Sequence, residues 1–503
     1  MEIDKMTTQK TLKKFTLTKS KYLLGLECPQ YFWKTIHEPE IIRKATTAEE
    51  FRFEQGDKVG ELAKTLFSEG IDIQTEDYRK NIEETKELLK ERKPLFEAGL
   101  EFETCFSRAD ILEPIGEDEW DIIEVKSATK TKDINIHDVS FQKYVYEKSG
   151  LKIRKCFILH LNNEYVRNGE IDLNELFSKE DITSEVDKAT EGIEGRINKL
   201  LKIISSDKPS DLGILIPKIF KEGHHDCLND GCLNHLPENH VFCLYRGGKL
   251  SCELFENGIE TIKDIPDHIE LNGKQSIQRE CDLKNQIYIE KPKIKEFLET
   301  VQYPVYYFDF ETFQTAIPMF DGLKPYSQVP FQFSIHVIEK PGAKPKHHEF
   351  LYNGNEDPRK ELLNALKETI GDKGSVVVYY QSFETGRLKE MAECFPENKE
   401  WIDNVLGRIV DLWAPFMKFY YYNPKQQGSA SIKDVLPAIT DKGYKGMDIA
   451  DGGTASVEFY RTAYESCPDE EKARVRENLL KYCELDTLGE VWIVEKLKEL
   501  IKN

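Results

Sequence analysis

Five residues in the C-terminal part of the chain have the types and spacing of a metal-dependent site. Asp309 and Glu311 alternate at the end of an apolar stretch that reads as a buried strand, so both side chains project from one face. Glu384 follows a second apolar stretch, and Asp486 comes four residues after Tyr482, which places that pair on one face of a helix. Acids on apolar elements are unfavourable unless they share a cation. The pattern therefore predicts a cation held by carboxylates, which can in turn bridge to phosphate.

A second set of residues lies in the N-terminal part of the chain. Asp110 ends one predicted strand, and Glu124 and Lys126 end the next, so a hairpin would bring the three together. The two carboxylates can bind Mg²⁺, while the ammonium can position or activate water and offset the charge of a phosphate. Gln142 and Tyr146 follow as a Gln-x-x-x-Tyr pattern on the next predicted helix.

Two mixed α/β cores are needed to position these sets. In the first, strands are predicted near 99–112, 120–126 and 153–161, with a helix at 138–148 before the last of them. The second core begins with the strand YPVYYFDF and ends with a long helix at 470–501. We therefore predict an α/β protein with two mixed-sheet domains joined by a small helical connector.

Length and composition agree with two folded domains. A chain of 503 residues exceeds the roughly 100–200 residues of a single domain. With 39% hydrophobic residues, 11% aromatic residues and a mean hydropathy of -0.54, it is neither disordered nor fibrous. Its apolar runs fall short of the roughly 18 residues of a membrane-spanning helix, and its first residues lack an apolar signal core. We expect a soluble, cytoplasmic chain with no membrane partner.

The net charge is -20, from 70 basic and 90 acidic residues, which argues against broad electrostatic attraction to nucleic acid. Carboxylates that hold divalent metals, however, add negative charge without repelling a phosphate that the metal bridges. Any binding of nucleic acid is therefore expected to be local, metal-bridged and sensitive to salt.

The C-terminal motifs, in this order and context, resemble the DnaQ-like 3′–5′ exonucleases of the RNase H-like superfamily, in the subgroup whose last motif is Tyr-x-x-x-Asp. The resemblance implies that nucleotides are removed from 3′ ends with two Mg²⁺ or Mn²⁺ ions, which activate water and stabilise the leaving oxygen. It implies that Tyr482 orients the attacking water. Glu384 stands where an aspartate is more usual, which keeps the charge. The implied metal ligands are Asp309, Glu311, Glu384 and Asp486.

The N-terminal set resembles the PD-(D/E)XK nuclease core, and its Gln-x-x-x-Tyr pattern narrows the resemblance to the RecB-like nucleases. This implies a DNA-cleaving site with Mg²⁺ or Mn²⁺ at Asp110 and Glu124. Gln142 and Tyr146 would lie beside the metal and help to orient Lys126 and the DNA. Those nucleases often carry a metal-binding His on an early helix. The matching segment FEQGDKVGELA has none, and the glutamate of GELA is the candidate substitute.

The cysteines around the N-terminal set are the third feature. Cys28 precedes that set, and Cys227, Cys232 and Cys243 follow it in a segment rich in histidine. This arrangement resembles nucleases with an iron–sulfur cluster, such as the CRISPR-associated RecB-type enzymes, and implies a 4Fe–4S cluster that ties the ends of the domain together. Zn²⁺ is the alternative, with His240 among the further ligands, and buried thiols are a third reading. The remaining cysteines are interpreted as core or surface residues.

Residues 417–433 combine lysines with four consecutive aromatic residues. They could form a stacking and phosphate-contacting edge for single-stranded nucleic acid. They could equally form a hairpin whose aromatic side chains complete the core, since aromatic residues are common in strands.

As a whole, the chain resembles a bacterial family that fuses a RecB-like nuclease of the iron–sulfur type to a DnaQ-like exonuclease domain. We predict the nuclease domain with its cysteine-bound metal over 1–250, the connector over 251–300 and the exonuclease domain over 301–503. The implied function is metal-dependent hydrolysis of single-stranded or frayed DNA at two sites. An RNA-processing exoribonuclease and a nucleic-acid-binding protein with one inactive nuclease domain are the alternatives, and protein partners are not predicted.

Overall fold

The computed structural model of the protein describes residues 15–206 and 236–502, and it divides into two compact units. The first comprises the described residues before 207 together with 315–326, and the second comprises the remaining described residues. Both units mix helices and strands, which confirms the α/β fold class predicted from the sequence. The segment predicted as a connector falls within the second unit.

A mixed sheet of seven strands forms the core of the first unit in the described residues. The strands are β1 (Leu17–Thr18), β2 (Ile71–Asp72), β3 (Leu95–Phe102), β4 (Cys105–Ile115), β5 (Glu119–Lys126), β6 (Lys152–Leu161) and β7 (Phe177–Asp181). Their order is β2-β3-β4-β5-β6-β7, with β1 beside β4. The β3–β4–β5 meander is antiparallel, whereas β5 and β6 are parallel. A parallel pair requires a crossover connection, which places a helix between β5 and β6.

The helices of the first unit are α1 (Lys19–Glu27), α2 (Pro29–His37), α3 (Thr47–Lys64), α4 (Tyr78–Leu88), α5 (Asp133–Lys148), α6 (Leu173–Leu176), α7 (Thr183–Thr190) and α8 (Ile193–Ile204). The crossover helix α5 buries residues 138–146 without a break, because it packs against the sheet as well as α1 and α7. Tyr22 of α1 stacks on Phe141 of α5 with ring centroids 4.7 Å apart. Burial of a side chain such as Phe141 contributes about 1.5–3 kcal/mol, which fixes α5 over the sheet.

The second unit is built on a five-stranded sheet in its described residues, with a separate two-stranded pair. The strands are β8 (Tyr288–Ile289), β9 (Val305–Phe313), β10 (Val329–Ile338), β11 (Lys346–Leu351), β12 (Ser375–Val378), β13 (Ile409–Asp411) and β14 (Tyr421–Tyr422). The sheet order is β11-β10-β9-β12-β13. β9, β12 and β13 run parallel, β10 is antiparallel to β9, and β11 is antiparallel to β10. β9 is therefore the central strand.

The helices of the second unit are α9 (Gly248–Glu256), α10 (Gly273–Lys284), α11 (Lys291–Glu299), α12 (Arg359–Thr369), α13 (Ser382–Cys394), α14 (Lys399–Leu406), α15 (Ala414–Met417), α16 (Ile432–Thr440), α17 (Gly452–Tyr464) and α18 (Asp469–Lys502). α18 spans 34 residues and matches the predicted helix at 470–501 to within one residue at each end. Charged residues recur along it, and none of the helices in the described parts of the chain is long and apolar enough to cross a bilayer.

The buried stripe of α18 changes character along its length. It is apolar at Val475 and Leu479, where it packs on the sheet. It then becomes polar for about two turns before returning to apolar residues at Val491. Buried polar groups without partners cost about 1–3 kcal/mol each, so a polar stretch at this position needs a specific explanation. Its members are Tyr482, Cys483, Asp486, Thr487 and Glu490.

The aromatic run in residues 417–433 is largely part of the core. Phe419, Tyr421 and Tyr422 are buried, and the two tyrosines form β14, which pairs with β8. Phe419 and Tyr422 stack with ring centroids 4.8 Å apart. The structure therefore favours the core interpretation of these aromatic residues over a stacking edge for nucleic acid.

Candidate active sites

The second unit gathers carboxylates on the sheet face that α18 covers. Asp309 and Glu311 lie two residues apart on the central strand β9 and therefore project from the same face. One ligand atom from each of Asp309, Glu311 and Cys483 lies within 4.8 Å of the other two. Glu311 is only 6% exposed, whereas Asp309 is half-buried.

The helix α18 adds Asp486 and Glu490, which lie one turn apart and are both buried. The Tyr444 hydroxyl donates a hydrogen bond to Asp486 Oδ1 at 2.5 Å. The Cys483 thiol donates to Asp309 Oδ2 at 3.7 Å, which joins the helix to β9. The polar stretch of α18 is thus explained by the acids that it faces.

Glu384 reaches the same region from the first turn of α13, directly after β12. It is 1% exposed. In the described part of the chain, Glu384 Oε2 and Glu490 Oε2 are buried without a hydrogen-bond partner. Such orphaned carboxylate oxygens are suited to a bound cation, because a cation would replace the water that they have lost. We call the following set the acid cluster: Asp309, Glu311, Glu384, Asp486 and Glu490.

Burial raises the pKa of every carboxyl group in the acid cluster, and repulsion between the members adds to this in most of them. For Asp309 the second cause is the charge of Asp486, and for Glu384 it is the charge of Asp309. Burial raises the pKa of Asp486 to about 7, against the opposing effects of the Tyr444 hydrogen bond and the charge of Lys433. A divalent cation would reverse these shifts, because it favours the ionised forms.

Tyr482 and Lys433 border the acid cluster. Lys433 Nζ lies 5.7 Å from the ring centroid of Tyr482 and 5.9 Å from that of Tyr444. Its positive charge acts to lower the pKa of both Glu311 and Asp486. Tyr482 is therefore placed one turn before Asp486 with an ammonium group over its ring, close to where an anionic substrate would meet the acids.

Three residues of this site were not predicted from the sequence: Tyr444, Cys483 and Glu490. Glu490 does carry a signal, because Tyr482, Asp486 and Glu490 recur every four residues on one helical face. Cys483 was interpreted as a plain core or surface residue, and it is fully buried, but its thiol also contacts an acid. Tyr444 lies between two glycines in a loop and has no local signal.

In the first unit, the β4–β5 hairpin brings together the residues predicted there. The Val125 N–H donates to Asp110 Oδ2 at 2.8 Å, which holds that carboxylate against β5. Lys126 Nζ donates to Glu124 Oε1 at 2.6 Å and to Asp138 Oδ2 at 2.9 Å. Burial by itself lowers the pKa of Lys126, but the charges of Glu124 and Asp138 outweigh burial and raise it. Lys126 is therefore a firmly protonated cation in this structure.

Helix α5 contributes Gln142 and Tyr146 from one face. Gln142 Nε2 donates to Glu124 Oε2 at 2.6 Å and so orients the buried carboxylate. The Tyr146 hydroxyl accepts from the Ala109 N–H at 2.9 Å and donates to the Ala98 carbonyl. Gln142 thus belongs to the site itself, whereas Tyr146 ties α5 to β3 and β4 beside it.

Two charged residues of this site were not predicted: Lys19 at the start of α1 and Asp138 on α5. Lys19 Nζ lies 2.7 Å from Glu124 Oε1, 3.7 Å from Asp110 Oδ1 and 3.8 Å from Asp138 Oδ1. Burial acts to lower the pKa of Lys19, but the charges of these acids hold it well above its ordinary value. Asp138 lies one turn before Gln142, which is a usable signal, whereas Lys19 is 105 residues from Glu124 in sequence. We call the following set the ion-paired cluster: Lys19, Asp110, Glu124, Lys126 and Asp138.

A cleft of about 320 Å³ lies beside Asp110. Glu97 and Arg108 line it and pair at 2.9 Å. Burial, followed by repulsion from Asp110, raises the pKa of Glu97 to about 7. Tyr78, which is 41% exposed, meets the edge of Phe106 in the same cleft, with ring centroids 5.8 Å apart. The cleft thus presents aromatic and cationic groups next to the acids.

The glutamate proposed to replace the early histidine is not part of this site. Glu61 lies on α3 with a side chain that is 69% exposed, and it pairs with Lys64 at 2.7 Å. The structure instead places Lys19 against Asp110 and Glu124. The cationic Lys19 side chain therefore lies beside the acids where a further metal ligand was expected.

The four cysteines predicted to hold a cluster are only partly described. Cys28 is buried, and its Sγ accepts a backbone N–H at 3.3 Å, which caps α2. Cys243 Sγ lies 3.6 Å from both ring nitrogens of His240, and burial raises the pKa of this thiol to about 11. Cys227 and Cys232 lie outside the described residues. The cysteine-bound metal therefore stays a prediction.

The two clusters differ in how they fit a divalent metal. Carboxylate oxygens are the ligands that Mg²⁺ and Mn²⁺ prefer. The acid cluster offers such oxygens from three elements, including the orphaned atoms of Glu384 and Glu490, and it fits Mg²⁺ or Mn²⁺ directly. The ion-paired cluster also offers three carboxylates, but the Lys19 ammonium lies among them. A metal there would have to displace Lys19.

Comparison with known proteins places this chain near proteins without a described activity. Residues 306–431 match a domain of unknown function, DUF2779, a region that contains Asp309, Glu311 and Glu384 but ends before Asp486. The uncharacterized protein MG366 of Mycoplasma genitalium is 26% identical over 417 residues, which cover 72% of this chain and 61% of that protein. Its Mycoplasma pneumoniae homolog is 29% identical over 231 residues, covering 42% of this chain and 34% of its own length. The uncharacterized protein UU173 of Ureaplasma parvum is 28% identical over 239 residues, which cover 43% of this chain and 34% of that protein. The chain thus spans between 34% and 61% of the length of these relatives and is similar to each over part of its sequence.

Proposed function

We propose that the protein is a metal-dependent nuclease that hydrolyses phosphodiester bonds. A 3′–5′ exonuclease site would lie in the second unit, and a RecB-like DNA-cleaving site would lie in the first. The observation that carries the proposal is the acid cluster, in which buried carboxylates from β9, α13 and α18 converge with two oxygens left unpaired. Among the described residues, Lys433 acts on Glu311 and Asp486, and Arg387 acts on Glu384, but both cations act at a distance, so ion pairs do not account for this arrangement.

In the second unit, Asp309, Glu311, Glu384 and Asp486 would hold Mg²⁺ or Mn²⁺. The bound metal would supply polarisation of the phosphate and a lowered pKa for water. The chain's own residues supply the positioning. The Tyr482 hydroxyl, which lies one helical turn before Asp486, is the group proposed to orient the attacking water.

Two further residues of the second unit fit supporting roles. Tyr444 holds Asp486 in place through its hydrogen bond. The Lys433 ammonium can attract the substrate phosphate, since it lies over the Tyr482 ring beside the acids.

In the first unit, Asp110 and Glu124 are the proposed metal ligands and Lys126 the group that positions water. Gln142 orients Glu124 directly. Tyr146 keeps α5 in register with the strands that carry the acids. The three elements that present these groups are β4, β5 and α5.

The substrate that fits best is single-stranded or frayed DNA. The cleft beside Asp110 presents the exposed Tyr78 ring, on which an unpaired base can stack, and the Arg108 and Lys19 cations for phosphate. The net charge of -20 argues against a broad basic surface, so contacts with nucleic acid should be few and salt-sensitive. RNA remains the alternative substrate, because neither site offers a described contact specific for a 2′-hydroxyl.

The test is cleavage of 5′-labelled single-stranded DNA and RNA by the full chain in Mg²⁺ and Mn²⁺. The variants are Asp309→Asn for the second unit and Lys126→Ala for the first. Glu349→Gln and Lys188→Ala, which change exposed residues of the same charge in the same units, are matched controls. We expect Asp309→Asn to lose only the ladder of products shortened from the 3′ end. No cleavage by the unaltered protein would refute the nuclease proposal, and equal ladders from Asp309→Asn and Glu349→Gln would refute the assignment of the site.

A second candidate function, for the first unit alone, is binding of DNA without cleavage. The observation in its favour is Lys19, whose ammonium already neutralises the carboxylates that would hold a metal. Residual cleavage by Asp309→Asn that disappears in the Asp309→Asn/Lys126→Ala double variant would favour cleavage by the first unit. DNA binding by Asp309→Asn without any residual cleavage would favour the binding role.

The 4Fe–4S cluster at Cys28, Cys227, Cys232 and Cys243 remains part of the proposal, with Zn²⁺ as the alternative. Thiolates are the ligands of both. Visible absorption and metal analysis of protein purified without oxygen distinguish the two. Colourless protein that contains zinc and retains full activity would exclude the iron–sulfur cluster.

A further inference from the structure

A second group of potential metal ligands lies on the same sheet as the acid cluster, toward its β11 edge. His336 of β10 and His347 of β11 are directly opposite each other in the antiparallel register. Glu484 of α18 lies against them, with His347 Nδ1 3.7 Å from Glu484 Oε1. One ligand atom from each of the three residues lies within 4.8 Å of the other two. The nuclease proposal uses none of these residues.

The surrounding hydroxyl groups orient both imidazole rings. Thr487 Oγ1 lies 2.8 Å from His336 Nδ1, and Ser334 Oγ lies 2.9 Å from His347 Nε2. The two hydroxyls also hydrogen bond to each other at 2.7 Å. Each ring therefore uses one nitrogen in this network, and the nitrogens left for a ligand are His336 Nε2 and His347 Nδ1. Metal-binding histidines show the same division, with one ring nitrogen on the metal and the other on a polar group that fixes the ring.

The protonation of the buried ring agrees with a ligand role. His336 is 4% exposed, and its ring stacks on that of His347 with centroids 4.5 Å apart. Burial, with the charges of the neighbouring His347 and His348, lowers the pKa of His336 to about 4. Its imidazole is therefore neutral near pH 7, which leaves a nitrogen lone pair for coordination.

We propose that His336, His347 and Glu484 form a binding site for Zn²⁺ that is separate from the acid cluster. Two imidazole nitrogens and one carboxylate form a donor set that zinc binds in proteins, whereas Mg²⁺ and Mn²⁺ prefer the all-oxygen set of the acid cluster. The side chains of His347 and Glu484 are 23% and 45% exposed, so the site is open to solvent on one side. A water molecule or an external ligand can complete a tetrahedral shell there.

The position of Glu484 gives this site a structural consequence. Glu484 lies on α18 between Tyr482, which borders the acid cluster, and Asp486, which belongs to it. A metal bound to Glu484 and to the two strands would fasten this turn of α18 to the β10–β11 edge. The zinc site would therefore restrict the movement of Tyr482 and Asp486 relative to the sheet without sharing a ligand with the acid cluster.

The test is Zn²⁺ binding by the full chain, stripped of metal and then supplied with excess Mg²⁺ to occupy the acid cluster. Isothermal titration compares the unaltered protein with His347→Ala, Glu484→Gln and the control His348→Ala. His348 is adjacent on β11 but exposed and paired with Ile335, so it faces away from the site. His336 is left intact because its replacement would also remove a buried packing contact. Zn²⁺ bound elsewhere, as by cysteines, is common to all four proteins and cancels in the comparison.

We expect the unaltered protein and His348→Ala to bind one Zn²⁺ that His347→Ala and Glu484→Gln lose or bind more than about tenfold more weakly. Zn²⁺ should also slow hydrogen exchange in residues 482–490 of the unaltered protein and His348→Ala, but not of His347→Ala and Glu484→Gln. Equal zinc stoichiometry and affinity in all four proteins would overturn the proposal. Neither readout depends on nuclease activity, so this result stands apart from the test of the proposed function.

Discussion

In the ion-paired cluster of the first unit, three carboxylates meet the ammonium groups of Lys19 and Lys126 at distances of 2.6–3.8 Å. In the acid cluster of the second unit, four buried carboxylates converge with the half-buried Asp309, and among the described residues Lys433 and Arg387 act on them from a distance. Each member of the acid cluster has a raised pKa because burial penalises its charged form. The lysines of the first unit are instead held in their charged form by the acids around them.

The difference shows that similar sets of acids can depend on different partners. The ion-paired cluster carries its own positive charge, so it is electrostatically satisfied without a metal, and a metal must compete with Lys19. The acid cluster has no comparable internal compensation among the described residues, so protons or divalent cations must supply it. We therefore expect metal, pH and charge substitutions to act differently on the two units.

The largest expected effect is on catalysis by the second unit. Asp486→Asn removes a proposed metal ligand, and loss of several kcal/mol of metal-assisted stabilisation should slow 3′ shortening of labelled DNA by roughly a thousandfold. Glu477→Gln is the control, because Glu477 lies on α18 but is exposed and accepts a hydrogen bond from Lys481 Nζ at 2.6 Å. Initial rates for the two variants measure the effect. A rate for Asp486→Asn equal to that of the control would remove the acid cluster from the mechanism.

The next effect is the pH dependence of stability without metal. The pKa of Asp486 is about 7 in the folded protein and about 4 in an unfolded chain. Between about pH 4 and about pH 7, the folded second unit therefore keeps a proton on Asp486 that the unfolded chain has lost. In EDTA, its free energy of unfolding should fall as the pH rises from about 4 to about 7, by about 1.4 kcal/mol per pH unit for this proton. The other members of the acid cluster, whose pKa values are also raised, should extend the fall.

Hydrogen exchange of β9 and α18 at several pH values, corrected for intrinsic rates, measures this fall. Saturating Mg²⁺ should oppose it, because the metal binds the ionised acids and its affinity rises with pH. Asp486→Asn should remove the contribution of one proton. Among the described residues of the first unit, burial raises the pKa of Glu97 to about 7 and also raises that of Glu147, fewer groups than in the acid cluster, so the fall should be smaller there. If the free energy of unfolding of the second unit does not change with pH in EDTA, the acid cluster does not depend on protons to neutralise its charge.

Removing Lys19, an internal cation of the first unit, should make the ion-paired cluster depend on metal as the acid cluster does. Lys19→Met leaves Glu124 and its neighbours partly unpaired, which should lower the free energy of unfolding of the first unit by about 1–3 kcal/mol without metal. Mg²⁺ should restore more stability to this variant than to the unaltered protein. Lys21→Met is the control, since Lys21 lies on the same helix but donates to the Thr16 carbonyl. Hydrogen exchange in β5 reports the result, and equal Mg²⁺ responses of the two variants would mean that Lys19 does not substitute for a metal.

Residues that share a strand or helix could be predicted because a local period places them. The spacing of Asp309 and Glu311 gives one strand face, and the spacing of Tyr482 and Asp486 gives one helical face. Both pairs lie where these periods place them, on β9 and α18. The same reasoning, continued by one turn, would have included Glu490. The mixed α/β class followed from the same alternation of periods.

The remaining contacts join residues that are distant in the chain and leave no local pattern. Lys19 meets Glu124 across 105 residues, and Tyr444 meets Asp486 across 42. The assignment of residues 315–326 to the first unit is of the same kind. It rests on several contacts between distant residues, such as the Ala316 N–H donating to Gln55 Oε1 at 3.0 Å and the Arg167 side chain donating to the Pro318 carbonyl at 2.8 Å. Such pairings are selected by the packed fold rather than by propensity, so one sequence alone does not reveal them.

The smallest expected effect concerns Tyr444, a neutral partner of the acid cluster. Tyr444→Phe keeps the ring but removes the hydrogen bond to Asp486, which acts to lower the pKa of that acid. A hydrogen bond to a charged group contributes about 1.5–3 kcal/mol, so the rate of 3′ shortening below pH 7 should fall by roughly tenfold. The acidic limb of the pH–rate profile should move to higher pH, because Asp486 would ionise less readily. Tyr352→Phe, which removes a tyrosine hydroxyl that accepts the Glu356 N–H at 3.3 Å, is the control and should leave the profile unchanged. A slower rate without a shift of the acidic limb would mean that Tyr444 acts through packing alone. A shifted limb would mean that a neutral hydrogen-bond donor stabilises the ionised acid cluster, whereas lysines do so in the ion-paired cluster.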